Sequence, residues 1–378
     1  MSTAVLHLID SLAVGGAERV AVSIVNRLPQ DQYTVTLCTT RRRGPLADEI
    51  APHVQQLHLQ RRSTADPFAV HRLAAALRRQ DVRVLHAHGT SLFLARAAAV
   101  LSPATTVIWH DHLGLCETKQ RPLWIRTYRL GVWRIGGVIA VNQMLANWAV
   151  NALHVPPERV WCVRNMACLA PRSTNPPVLP GRRGSRIVCL ANFRPEKDHT
   201  VLIQAMARVV ASHPDAHLLL VGGGDPGYVS RIRNLVALHG ISKRVTFLGE
   251  RRDVPDVLGG CDVGVLASVS EGLPLSLLEC GSAGLAVAAT SVGECPDVLD
   301  GGRAGLLVPP SDPGRLADAL LTLVNNLEMR SEYARRLQIR IRSEFSPGPI
   351  MDRICRIYDS ATGARGTARM SASAGAIQ

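Results

Sequence analysis

Lysine is nearly missing from this chain. Only Lys119, Lys197 and Lys243 stand among its 43 basic residues, and the rest are arginines. Aromatic residues make up 4% of the sequence. With no RNA- or DNA-binding signature beside them, that scarcity argues against nucleic acid as a partner. No apolar run approaches the roughly 18 residues of a membrane span. The opening MSTAVLHLID lacks the basic lead and long apolar core of a secretion signal. The nine cysteines include no CxxC pair. A zinc or disulfide framework is therefore not indicated, and residues such as Cys189 and Cys261, in apolar surroundings, read as free thiols of a reducing cytoplasm.

What is present is a 378-residue chain, 47% apolar, with a mean hydropathy of +0.10. That suits a soluble protein with two domains, each burying its own core. The formal net charge of +13 favours anionic partners such as nucleotides or phospholipid head groups.

Apolar runs of strand length alternate with helical patterns along most of the chain. Residues 4–9 read as a strand, followed by a Gly15-Gly16 loop and a helix from about Ala17 to Leu28. Strand, glycine pair and helix let a phosphate approach the backbone, although two glycines alone also make an ordinary turn. Residues 34–39 and 82–86 continue the strands, with a helix over 66–80 between them. His86 and His88 fall at a strand's C-terminal end, where ligands gather in parallel sheets. Strand TTVIWH leads to His110, Asp111 and His112. Two histidines around an aspartate suggest a metal, but no further ligand cluster accompanies them, so a general base or a sugar-hydroxyl partner is the preferred reading and no metal is expected. In residues 117–135, Arg121, Arg126, Arg129 and Arg134 alternate with Trp124, Tyr128 and Trp133. Such a segment suits an anionic membrane surface, or equally a helix burying one aromatic face.

Residues 171–186 are rich in Pro, Gly and Arg and read as a linker between a first domain (1–170) and a second (187–346). The alternation restarts after them. Its centre is VLASVSEGLPLSLLECGSAGLAVAA, which reads as a buried strand, a loop with Gly272 and Pro274, and a helix that stops at Gly281 or Gly284. Glu271 lies in the loop and Glu279 in the helix. The pair frames a site for a phosphorylated, hydroxyl-rich ligand, or else is a loop carboxylate and an ion-paired helix carboxylate. Residues 361–378 are small and polar and read as a disordered tail. The expected fold is α/β, with two doubly wound Rossmann-like domains facing across a cleft.

Four blocks in the second half, RPEKDHTVLIQA, LVGGGD, VTFLGERRDVPDVLGGCDVGVLAS and EGLPLSLLECGSAG, resemble in order the retaining glycosyltransferases of family 4, which have the two-domain GT-B fold. The GGAER loop and the HDH strand end fall where that family has functional groups. The resemblance implies transfer of a sugar from a nucleoside-diphosphate donor, UDP- or GDP-linked, to a glycan or lipid-linked acceptor, without metal or other cofactor. It implies that Gly15 and Gly16 let the backbone approach the donor diphosphate, together with donor contacts from Asn192, Arg194 and Gly223. Lys197 would neutralise the diphosphate, Glu271 would lie against the donor sugar, amides at Leu275 and Ser276 would receive it, and Glu279 would bind the ribose. His112 would touch a hydroxyl of the transferred sugar. His88, His110, Trp124, Arg126 and Arg129 would face the acceptor or membrane. The final helix, within 347–360, would pack back on the first domain. Work on a lipid-linked acceptor implies a cytoplasmic protein at the inner face of the membrane. Asn192 stands where the family usually has arginine, and Glu294 and Asp297 stand where glycine and glutamate are usual. A non-catalytic sugar-nucleotide-binding subunit and a nucleotide-sugar epimerase of related fold are the competing readings.

Overall fold

The computed structural model describes residues 2–112 and 121–363. The chain divides into two compact units, Met1–Arg164 with Gly348–Gln378, and Asn165–Pro347. The start of the arginine- and aromatic-bearing stretch, residues 117–120, and the part beyond 363 of the tail expected to be disordered lie outside the described residues.

The first unit holds seven strands: β1 (Thr3–Ser11), β2 (Tyr33–Arg42), β3 (Gln55–His58), β4 (Val84–His88), β5 (Thr106–Asp111), β6 (Gly137–Ala140) and β7 (Val160–Cys162). They lie in the order β3-β2-β1-β4-β5-β6-β7, and every pairing is parallel. β3 was not visible as an apolar run, because Gln55 and Gln56 are exposed at the sheet edge. Side chains alternate between faces. Leu6, Leu8, Leu85, Ala87, Val107 and Trp109 share one core with helices Pro67–Arg79 and Leu92–Val100. The opposite face carries His7, His86, His88 and His110. Helix Pro347–Thr362 lies on that face, and its Tyr358 is fully buried.

The second unit holds β8 (Arg186–Leu190), β9 (His217–Val221), β10 (Val245–Gly249), β11 (Val263–Leu266), β12 (Ala286–Thr290) and β13 (Leu306–Val308). They are also all parallel, in the order β10-β9-β8-β11-β12-β13. Here both faces are dry, which explains the unbroken apolar strands. Ile187, Cys189, Ala286 and Ala288 pack into one core, and Val188, Val287 and Ala289 into another. The segment read as a linker is bound to this unit: the Ser173 N–H donates to Asp256 at 2.7 Å, and the Arg186 guanidinium donates to the carbonyls of Leu179 and Gly181 at 2.8 and 3.0 Å.

Asp66, Asn142, Asp198, Asp225, Asp312 and Asn326 each accept a first-turn N–H at the start of a helix. The helices that begin after Gly15 and Pro274 have no such side-chain cap. No described helix is long and apolar enough to cross a membrane.

Candidate active site

In an open parallel sheet the winding reverses once, and the strand ends at that point leave a crevice for ligands. In the second unit the reversal lies between β8 and β11. The loop after β8 carries Lys197, in the turn Pro195–Lys197, and the loop after β11 carries Glu271. The two loops are tied together by the Val269 N–H, which donates to the Glu196 carbonyl at 2.9 Å. That tie brings side chains 74 positions apart into contact. Lys197 Nζ donates to Glu271 Oε1 at 2.6 Å, and the Ser268 hydroxyl donates to the same oxygen, also at 2.6 Å. The Lys197 side chain is 23% exposed and that of Glu271 is 7% exposed. Beneath the pair, burial and the Glu271 charge push the Cys295 thiol up to about 12. Burial, with the Lys197 charge second, pulls His199 down to about 4.

Helix Leu275–Ala283 starts directly after this loop. Its N-cap is Pro274, which has no side chain able to cap. The first-turn N–H groups of Leu275 and Ser276 are therefore not capped by a side chain at the helix start, the arrangement that suits an acceptor from outside the helix. Glu279 lies one turn further on and is buried. The helix ends at Gly284, whose φ of 80° is the left-handed closing conformation. Gly293, at φ 51°, is the residue where backbone must meet backbone. A Cβ there would lie 2.2 Å from the Glu271 carbonyl oxygen.

Asn192 turns inward, and its Oδ1 accepts from the Gly223 N–H at 3.2 Å. It thus joins the loops after β8 and β9. Arg194 is largely exposed and lies 3.9 Å from the Glu196 carboxylate. The Glu250 carboxylate fills the space where a side chain at residue 223 would stand. Asp297 belongs to a short helix, Cys295–Val298, where Arg340 donates to its carbonyl at 2.8 Å and pairs with its carboxylate at 3.6 Å.

In the first unit the reversal lies between β1 and β4. Helix Gly16–Val25 starts there at Gly15, and the Glu18 carboxylate curls back over Gly15. Asp10, unremarked in the sequence, accepts from Thr40 and Thr90 at 2.5 and 2.6 Å and so joins the ends of β1, β2 and β4. His7, His86, His88, His110 and His112 lie on one face of β1, β4 and β5, with His7 opposite His86 and His88 opposite His110. The first four are buried, and His112 is partly exposed. His88 and His110, expected to face an acceptor, are instead inside this histidine cluster. Burial and the neighbouring imidazoles hold His7, His86, His88 and His110 well below the usual histidine value. Two triads, His7–His86–His88 and His88–His110–His112, bring ring nitrogens within 4.8 Å of one another, a grouping that the sequence did not reveal.

Helix Pro122–Val132 buries Tyr128 and Val132. It leaves Leu123, Trp124 and Leu130 at 74%, 42% and 73% exposure, with Arg126 exposed beside them. Arg129 donates to the Ala152 carbonyl. Past the helix, Arg96 and Arg134 lie over the exposed Trp133 ring. Of the two readings of this stretch, the buried aromatic face holds for Tyr128, while both tryptophans remain at the surface.

A family model described as Glycosyl transferases group 1 matches residues 184–326, and one described as Glycosyltransferase Family 4 matches residues 14–167. The phosphatidyl-myo-inositol mannosyltransferase of Mycolicibacterium smegmatis is 28% identical over 290 residues, 75% of this chain and 72% of that protein. The N-acetyl-alpha-D-glucosaminyl L-malate synthase of Bacillus anthracis is 31% identical over 172 residues, 46% of this chain. That match spans 44% of the relative's own length. Among solved structures, Anabaena Alr3699/HepE in complex with UDP and glucose superposes with a TM-score of 0.80 at 20% identity, covering 95% of this chain and 100% of its own. WaaG, a glycosyltransferase involved in lipopolysaccharide biosynthesis, superposes with a TM-score of 0.74 at 13% identity, covering 95% and 100%.

Proposed function

Because the chain belongs to the family 4 glycosyltransferases of GT-B fold, we propose that it moves a hexose from a nucleoside-diphosphate sugar to a glycan or polyprenyl-type lipid-linked acceptor, with retention of anomeric configuration. The observation that carries this reading is the Lys197–Glu271 pair at the reversal point of the second sheet. Breaking the sugar–phosphate bond leaves negative charge on the departing diphosphate, and a fixed cation there acts on the transition state. Lys197 supplies that cation, held by Glu271, whose carboxylate the Ser268 hydroxyl in turn fixes. A diphosphate offers the ammonium a second anionic partner, which frees the Glu271 carboxylate for the sugar. The uncapped amides of Leu275 and Ser276 receive sugar or phosphate oxygens. Glu279, on the same helix, is assigned to the ribose hydroxyls.

In the first unit, Gly15 and Gly16 are assigned to backbone contact with the diphosphate, and His112 to a substrate hydroxyl. Asn192 serves the donor loop by holding Gly223. No step in this scheme calls for a metal. A UDP- or GDP-linked donor draws support from relatives of both kinds: a mannosyltransferase of Corynebacterium glutamicum, 30% identical over 183 residues, is GDP-mannose-dependent, and the Anabaena protein was solved in complex with UDP and glucose. The exposed tryptophans and arginines around Pro122–Val132 are the surface proposed to meet an anionic membrane at its cytoplasmic face.

Thermal unfolding against UDP, GDP, ADP, CMP and their common sugar conjugates tests the donor site. A ligand at 100 times its Kd stabilises by about 2.7 kcal/mol. Selective stabilisation by one nucleoside diphosphate is expected, and no response to any of them would overturn the reading. The anomeric coupling constant of the product, measured by NMR, tests retention.

A further inference from the structure

The histidines of the first unit are strung on one line. Tyr358, on the last helix, stands at its middle, with the hydroxyl 3.0 Å from His7 Nε2 and 2.5 Å from His86 Nδ1. On one side His7 Nδ1 meets His88 Nε2 at 3.0 Å, and His88 Nδ1 meets His112 Nε2 at 2.8 Å. On the other side His86 Nε2 meets His110 Nδ1 at 3.0 Å. The line therefore runs from His112 to His110 through every other member.

The rings meet edge to edge. Each joined pair has centroids 5.1 or 5.2 Å apart and planes within 35° of each other. This aims nitrogen at nitrogen in pairs, the geometry of an N–H donor facing a lone pair.

A neutral imidazole has one donor nitrogen and one acceptor nitrogen, and a hydroxyl can donate once while accepting. With all five rings neutral and the buried Tyr358 O–H donating to one of its two histidine neighbours, these contacts can be satisfied in only two ways. In one, every ring carries its proton on Nε2, and Tyr358 accepts from His7 and donates to His86. In the other, every ring carries its proton on Nδ1, and Tyr358 accepts from His86 and donates to His7. The direction of a single O–H bond thus fixes all five tautomers. In the first arrangement the His112 Nδ1 is unprotonated and has the chemistry to accept from a hydroxyl. In the second it carries the proton and donates.

We infer that Tyr358 is a positioning residue: acting through His7 and His88, it sets which nitrogen of His112 bears the proton and holds that ring in its plane. The consequence for catalysis rests on the reading that His112 serves a substrate hydroxyl, whereas the tautomer coupling does not.

The test compares Tyr358→Phe with Tyr33→Phe. The Tyr33 hydroxyl bonds the Cys355 carbonyl and Asp359 on the same helix, at 3.4 and 3.2 Å, and lies off the line. Nitrogen-15 NMR of the histidine rings reads the tautomers directly. In wild type and in Tyr33→Phe, the five rings are expected to share one tautomer. In Tyr358→Phe the halves uncouple, and the His112 signals move to a different or mixed tautomer. The kcat of Tyr358→Phe should fall by about tenfold or more with KM little changed, since loss of a partner that orients a histidine is felt on that scale. Mixed tautomers among the five wild-type rings, or an unchanged His112 spectrum in Tyr358→Phe, would overturn the inference. Equal kcat losses in the two variants would show the hydroxyl to be merely structural. A changed spectrum with unchanged kcat would leave the coupling standing and overturn only the reading of His112.

Discussion

Replacing Lys197 by alanine should damage activity far more than folding, and the two losses can be sized separately. At 2.6 Å the Lys197–Glu271 pair has a gross attraction of about 6 kcal/mol at an effective dielectric constant near 20. Most of that offsets desolvation. Removing one partner of a fully buried pair costs roughly 3–5 kcal/mol. Here Lys197 is 23% exposed and Glu271 keeps the Ser268 hydroxyl, so the cost falls to about 2–3 kcal/mol. In a unit of this size that lowers the melting temperature by roughly 5–10 °C. The variant therefore remains folded at assay temperature. Its kcat should drop about 100- to 1000-fold, the usual loss when a group stabilising a departing anion is removed. Steady-state kinetics at saturating donor and differential scanning calorimetry measure the two effects. A double-mutant cycle with Glu271→Ala should show a coupling above about 1 kcal/mol. Wild-type turnover in Lys197→Ala, or stabilities that add within about 0.5 kcal/mol, would refute the reasoning.

Acid should unfold the first unit steeply. The pKa values of His7, His86, His88 and His110 are lowered on folding, so the unfolded chain binds more protons below its own value near 6.5 and stability falls with pH. Stability should therefore drop as the pH is taken from 7.5 to 5.5, which urea titrations across that range will show, and a flat profile would refute the burial of neutral rings. Gly293→Ala should raise the donor KM, because a Cβ would strike the Glu271 carbonyl and the backbone there is left-handed; isothermal titration with the stabilising nucleotide checks it. Sedimentation with vesicles containing phosphatidylglycerol should retain the protein, and a Trp124→Ala, Arg126→Ala, Trp133→Ala variant should be retained several-fold less. Equal retention on phosphatidylcholine vesicles would remove the case for an anionic surface.

The two sheets were legible because their strands are short apolar runs set between helices with recognisable caps. β3 escaped because an exposed edge strand such as QQLH carries no apolar signal. Lys197, Glu271 and Glu279 could be picked out as residues, but not as a contact. The 2.6 Å meeting of the first two depends on which strands lie side by side, and no local spacing encodes that. The histidines show the same limit. HAH and HDH were visible as strand ends, whereas His7 lies inside the strand AVLHLI with nothing local to single it out. Only the parallel registers of β1, β4 and β5 put it against His86 and His88. Tyr358 lies 272 positions from His86, and nothing near it in the sequence announces a partner.

That separation bears on how the protein is made. The second unit is contiguous, Asn165–Pro347, and can form once its own residues have emerged. The first cannot be completed until helix Pro347–Thr362 is synthesised, some 200 residues after the last strand of its sheet at Val160–Cys162. At typical elongation rates the gap lasts about 10–40 s. Throughout it, one face of β1, β4 and β5, with its histidines, stays uncovered. Late long-range contacts of this kind slow folding and leave an aggregation-prone face waiting until the last helix arrives.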